Sequence, residues 1–292
     1  MINTKLWTAL ITPMHQSGEV HFGDLEKLIR RQESAGNGIL LIGSTGEGLA
    51  LTDDEKREII EFSANLDLTV PVMVGVGGFQ IENQKAWIQF CNDKVDGFLL
   101  VSPLYSKPGP LGMKSWFLEL MNVAEKPCMV YNIPSRTGVR IPPAVIKELF
   151  DHSRFWSIKE ASGSIADYKE YREMVPQASM FSGDDALLPF FAAAGCSGLV
   201  SVSSNVWPEE TAEYVELCLN GKTESLFPVW KHAVEAMFSA PNPVPVKALL
   251  HQKGIIESSA LRLPLTEKEL KSTEYLKQAD EEIINWYQKI NN

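Results

Sequence analysis

A lysine closes an apolar stretch at Phe155-Trp156-Ser157-Ile158-Lys159-Glu160. If that stretch is a strand ending inside a protein, burial depresses the ammonium pKa and favours the neutral amine. A neutral amine attacks a ketone to form a Schiff base, and the iminium then draws electrons from the adjacent carbon. The plainer alternative is a side chain that snorkels to solvent or pairs with Glu160.

Other short stretches carry compatible chemistry. Tyr131-Asn132-Ile133-Pro134-Ser135-Arg136-Thr137-Gly138 combines a phenol that can relay protons with a guanidinium that can grip a carboxylate. Taken singly, a strand tyrosine is as readily packing and a loop arginine as readily surface. Gly43-Ser44-Thr45-Gly46-Glu47 sets two hydroxyls between glycines, either a seat for a small carboxylate or a turn with local caps. Tyr105 adds a second phenol after Val101-Ser102-Pro103, and Ser201 to Asn205 is again small and polar. Asp184 and Asp185 follow Ser182-Gly183, where acids cap a helix N-terminus more readily than they bind a metal.

These stretches sit at the ends of apolar runs at 6–11, 38–42, 70–76, 97–102, 127–132, 155–159, 179–182 and 198–202. The runs are near-continuous, as a parallel strand covered on both faces requires. Between them lie helical patterns at 24–35, from Thr52, and at 81–91, 113–124, 142–150, 165–174, 185–194 and 208–219. The first places Leu25, Leu28, Ile29 and Gln32 on one face, and Thr52 with Glu55 forms a capping-box pattern. Pro142 and Pro208 suit first-turn positions. Alternation of this length predicts an α/β fold, a (β/α)₈ TIM barrel over residues 1–221. Residues 222–292 keep helical periodicity without strand candidates, broken at 241–245 and 263–265, and read as a C-terminal helical domain. In such barrels the chemistry gathers at the C-terminal ends of the strands.

The chain has 292 residues with 27 basic and 37 acidic side chains, a net charge of −10. That balance repels phosphate backbones and anionic lipid, so neither nucleic acid nor membrane is an expected partner. No run reaches the roughly 20 apolar residues of a spanning helix, and the first residues show no signal-peptide pattern. The four cysteines lie far apart and the five histidines form no metal motif, so a buried-thiol, metal-free, soluble cytoplasmic protein is expected.

Together, Gly-Ser-Thr-Gly-Glu at 43–47, Tyr-Asn-Ile-Pro-Ser-Arg-Thr-Gly at 131–138 and Ile-Lys-Glu-Ala at 158–161 resemble the pyruvate-dependent class I aldolases. That family includes dihydrodipicolinate synthase and N-acetylneuraminate lyase. The match runs from Ile-Thr-Pro-Met near the start to Asn-Pro-Val-Pro-Val-Lys at 242–247. Ser-Arg-Thr-Gly after the tyrosine, Val-Ser-Pro-x-Tyr at 101–105 and Ser-Gly-Asp-Asp at 182–185 are similar to the synthase branch. The resemblance implies condensation of pyruvate with L-aspartate 4-semialdehyde to 4-hydroxy-tetrahydrodipicolinate, in diaminopimelate and lysine biosynthesis. The alternative it implies is an N-acetylneuraminate or 2-keto-3-deoxy sugar acid lyase.

By the same resemblance, Lys159 carries the pyruvate imine, Ser44 and Thr45 receive its carboxylate, and Tyr131 moves protons, linked through Ser44 to Tyr105. Arg136 holds the second substrate, Gly183 and Val200 shape the pocket, and no metal or organic cofactor is needed. Tyr105 would complete the site of a neighbouring subunit, in a homo-oligomer that is a dimer of dimers. Ser44 departs from the synthase pattern, which has threonine there. The positions matching a lysine effector site are Gly48, Leu49, Asp53, Lys56, Phe79, Asn83 and Leu104. They have gained a cation at Lys56 and lost an anion at Asn83, which disfavours a dibasic effector.

Overall fold

The alternation of buried apolar runs with amphipathic segments folds into a closed ring of strands, each paired in parallel with the next. A computed structural model describes residues 2–291. In order, the strands are β1 (Leu6–Ala9), β2 (Gly38–Leu41), β3 (Val72–Val76), β4 (Gly97–Val101), β5 (Cys128–Asn132), β6 (Phe155–Glu160), β7 (Ser179–Ser182) and β8 (Gly198–Ser201). Pairing of β8 with β1 closes the barrel.

The helices between strands are α1 (Phe22–Ser34), α2 (Asp53–Ala64), α3 (Ile81–Cys91), α4 (Pro110–Val123), α5 (Pro134–Thr137), α6 (Pro143–Phe150), α7 (Ile165–Met174) and α8 (Leu188–Ala193). After β8 come α9 (Pro208–Leu219), which completes the ring of helices, then α10 (Leu226–Met237), α11 (Val244–Gln252) and α12 (Glu274–Ile290). Leu25, Leu28, Ile29 and Gln32 are the buried face of α1, together with Asp24. The capping box of Thr52 and Glu55 is formed at α2.

Some boundaries move. Pro142 is the N-cap of α6 and Pro143 takes the first-turn place, whereas Pro208 does open α9. Met113 is internal to α4, because Pro110 can start a helix without losing an N–H partner. The proline-rich stretch at 241–245 is the start of α11 as well as a break, since its last prolines fall within the first turn.

Strand alternation divides the core in two. Trp7, Ala9, Leu40, Met73, Leu99, Met129, Tyr131, Phe181 and Val200 fill the barrel. Their neighbours along the strands, such as Leu6, Ile39, Val74, Leu100, Val130 and Leu199, pack outward on the helices. Leu226, Trp230, Val246, Leu276 and Ile283 of the C-terminal helices join that outer layer. All four cysteines are free and buried, and burial pushes the Cys91, Cys128 and Cys218 thiols up to about 12. Among the described residues no helix is long and apolar enough to cross a membrane.

Candidate active site

The register of β5 against β6 sets Tyr131 beside Lys159 and Asn132 beside Glu160. Alternation then sends the first pair into the barrel and the second toward the helices. Lys159 Nζ lies 4.3 Å from the centroid of the Tyr131 ring. Only 5% of Lys159 is exposed, so it does not snorkel to solvent. Nor does it pair with Glu160, whose carboxylate instead takes the Asn132 amide at 2.8 Å and the Ser162 N–H at 2.6 Å. Burial pulls the Lys159 pKa down to about 7, with Asp185 opposing and Arg136 reinforcing. Burial pushes the Tyr131 phenol up to about 12. At neutral pH the barrel mouth therefore offers an amine free to attack a carbonyl and, against it, a phenol with a proton to give.

Gly183, just past β7, makes room for that lysine. A Cβ built there would lie 2.8 Å from Lys159 Cε and 2.5 Å from the Ala161 methyl. Gly183→Ala is expected to displace the amine and lower turnover by about 10²-fold, as misplacements of an ångström do. Steady-state rates on protein with an unaltered circular dichroism spectrum check this, and an unchanged kcat would refute it. Val200, also predicted at the site, is buried in the barrel filling beside Phe181.

The hydroxyl loop after β2 is bent by left-handed backbone at Ile42 (φ 58°) and Glu47 (φ 53°). A Cβ at Gly48 would lie 2.4 Å from the Ile42 carbonyl oxygen, so only glycine permits the turn. Ser44 is exposed and Thr45 buried. Thr12 donates to the Gly46 carbonyl at 2.7 Å, and the Asn242 amide donates to Thr45 Oγ1 at 2.9 Å. Glu47, two residues on, is wholly used: Oε1 takes Lys247 Nζ at 2.5 Å and Oε2 takes the Arg262 N–H at 2.9 Å. Lys247 also donates to the Ala260 carbonyl at 2.8 Å. The Arg262 guanidinium bonds Gly18, Ala50 and Glu55, holding the Glu55 carboxyl down at about 2. Residues from α11 and the chain beyond it thus grip the loop, a role no sequence reading above assigned. Glu47 and Lys247 each end one of the quoted motifs, but no local pattern pairs them.

Arg136 rides on α5, a single turn that Pro134 opens and Gly138 (φ 71°) closes. Thr137 ties its own side chain to the Ile133 and Val139 carbonyls. Asn132 secures the base of this segment, accepting the Ile141 N–H at 3.0 Å while donating to Glu160. Arg136, Ser44, Tyr105 and Tyr131 line one cleft of about 1310 Å³. Lys159 lies against the ring of Tyr131, and Thr45, next to Ser44 in the chain, is buried. Tyr105 stands 93% exposed on a turn with φ 67°. No hydrogen bond joins Tyr131, Ser44 and Tyr105 among the described residues.

Asp185 does not cap a helix. α8 begins only at Leu188, and Asp184 alone takes the Ala186 and Leu187 N–H groups ahead of it. Asp185 is buried and staples β7 to the end of β8, accepting from the Ser201 hydroxyl and from the Val202 and Ser203 N–H groups. His15, His21 and Glu257 bring three ligand-capable atoms within 4.8 Å of one another. There Nδ1 of His21 accepts the Asp24 N–H at 2.9 Å, so the ring proton sits on Nε2, which Glu257 meets at 2.6 Å. A metal on Nε2 would need the opposite tautomer, against the Asp24 N–H. The trio works as a clip between the loop before α1 and residue 257.

The chain is similar to known proteins along nearly its whole length. A family model described as the dihydrodipicolinate synthetase family matches residues 3–283. A Francisella philomiragia protein named 4-hydroxy-tetrahydrodipicolinate synthase is 47% identical over 293 residues, covering 99% of each chain. The solved 4-hydroxy-tetrahydrodipicolinate synthase of Methylacidiphilum fumariolicum SolV superposes with a TM-score of 0.93 at 31% identity, over 99% of this chain and 98% of that one. A structure described as a monomeric dihydrodipicolinate synthase variant superposes at 0.89 and 29% identity, over 96% of both chains.

Proposed function

Because the chain belongs to the dihydrodipicolinate synthetase family, whose members are pyruvate-condensing lyases of diaminopimelate and lysine biosynthesis, we propose that Lys159 is the group on which pyruvate reacts. The observation that carries this reading is the buried amine inside the barrel mouth, against Tyr131 and in the space Gly183 leaves. Lys159 Nζ attacks the pyruvate ketone and water leaves, giving an imine whose carboxylate rests on Ser44 and Thr45. Loss of a methyl proton gives an enamine, whose carbon bonds to the aldehyde carbon of aspartate semialdehyde. The substrate amine then displaces Lys159 from the imine carbon, closing the ring and freeing the enzyme. Tyr131, with its high pKa, gives and takes the protons, passing them through Ser44 to the Tyr105 that a neighbouring subunit supplies. Gly183 and Val200 bound the pocket.

Arg136 on the cleft wall favours a short semialdehyde, whose carboxylate it can grip. Ser44, the residue of the lyase pattern, favours the second reading, a lyase for sialic or 2-keto-3-deoxy sugar acids. Lysine feedback is absent in this proposal. The seven positions matched to the effector site all face the same cleft, but its one retained acid, Asp53, is already met by Lys56 at 3.1 Å. A dibasic ligand would meet a cation where it needs an anion. We also assign the protein to the cytoplasm as a dimer of dimers, in which the exposed Tyr105 completes a neighbour's site.

A reductase-coupled assay tests the whole reading. Aspartate semialdehyde with pyruvate should support turnover, N-acetylmannosamine should not, and neither a chelator nor millimolar lysine should slow it. The rate per chain should fall when dilution separates the subunits. Turnover with the sugar alone would move the assignment to the lyase, and micromolar inhibition by lysine would refute the feedback claim.

A further inference from the structure

The C-terminal segment reaches the proposed carboxylate seat through a single amide. Asn242 Nδ2 donates to Thr45 Oγ1 at 2.9 Å, across 197 residues of chain. Both side chains are more than nine-tenths buried. A hydroxyl that accepts an N–H has its own proton left to give, and among the described residues Thr45 gives it to no protein group. Asn242 Oδ1, for its part, is buried and has no partner among the described residues, so the contact with Thr45 is the side chain's one hydrogen bond there.

We propose that Asn242 is a positioning residue: its amide fixes the Thr45 hydroxyl as a donor, and the donated proton is what the keto-acid carboxylate receives. This rests on the reading above, that Thr45 seats the carboxylate. Free to rotate, the hydroxyl could point its proton back at a neighbouring carbonyl and meet the anion with a lone pair. The amide narrows that choice, because its N–H already occupies one of the two lone pairs. Its own position is held just downstream, where Lys247 and Arg262 anchor the same segment on Glu47. The pair is therefore fixed before substrate arrives, and the hydrogen bond to the anion is made without first ordering its donor.

The test is a double-mutant cycle on pyruvate affinity, read by calorimetry, with methyl pyruvate as an uncharged comparison. Asn242→Ala should weaken pyruvate roughly tenfold, the scale of one hydrogen bond to a charged group, and should weaken methyl pyruvate far less. In a Thr45→Val background the same change should cost less than about twofold, because the effect passes through Thr45. Asn242→Asp keeps the shape but offers an acceptor, so it should turn the Thr45 proton away and weaken pyruvate at least as much. It also supplies the readout if the alanine variant melts early. Equal losses in both backgrounds, or equal losses for pyruvate and its ester, would overturn the proposal in favour of a merely structural asparagine. Borohydride trapping on the same samples keeps the two readings apart. Loss of coupling with an intact Lys159 adduct refutes only this inference, and intact coupling without an adduct refutes only the imine.

Discussion

Lys159→Ala is expected to abolish borohydride trapping of pyruvate and to lower turnover by about 10⁴-fold or more, the cost of removing a covalent nucleophile. The native enzyme should show why in its pH dependence. A lysine with its usual pKa of 10.5 is almost wholly protonated at neutral pH, but burial brings Lys159 to about 7. The amine is thus protonated and inert below that value and free above it. Imine formation should rise about tenfold per pH unit on the acid side and level off above about 7. Tyr131, at about 12, keeps its proton throughout that range and adds no second break. Peptide mass spectrometry of the trapped enzyme, with stopped-flow rates across pH, checks both statements. A pyruvate adduct in the alanine variant, or a midpoint near 10, would show that the reacting group lies elsewhere.

Lys247→Met is expected to cost about 3 to 5 kcal/mol of stability, because it leaves the buried Glu47 carboxylate without its ion-pair partner, with only the Arg262 N–H and the more distant Arg262 charge to offset it. The two side chains are 0% and 1% exposed, so screening offers little relief. For a chain of this size that is a fall of about 5 to 8 °C in melting temperature. Adding Glu47→Gln should return part of the loss, since the pair is then replaced by two uncharged groups. Calorimetric melts of the two single variants and the double variant decide it. A shift of a degree or two for Lys247→Met would mean the pair contributes little.

The barrel was legible in the sequence because each strand is a short apolar run and each helix a periodic one. The face of α1 and the capping box of α2 follow from spacing alone. The placing of Lys159 and Tyr131 inside the barrel was legible only in part: alternation sends one of two adjacent polar residues inward and the other, Glu160 or Asn132, toward the helices. Either Asp184 or Asp185 could be the capping acid by sequence, and only Asp184 bonds toward α8, because an acid before a helix looks the same whether it bonds that helix or across to the next strand. That choice depends on where β8 ends, which no local pattern reports. The grip of Asn242, Lys247 and Arg262 on residues 45–55 was hidden for the same reason at greater range. Periodicity locates α11, but not what its ends touch.

That grip has a bearing on the order in which the enzyme is made. Glu47 leaves the ribosome 200 residues before Lys247. At typical elongation rates the interval is about 10 to 40 s. The remaining six strands, β3 to β8, are synthesised within it, so the barrel can close while the loop after β2 still lacks its lysine partner. The nascent chain must shelter a carboxylate that has no partner yet, and the catalytic mouth is finished only when almost the last segment of the polypeptide arrives.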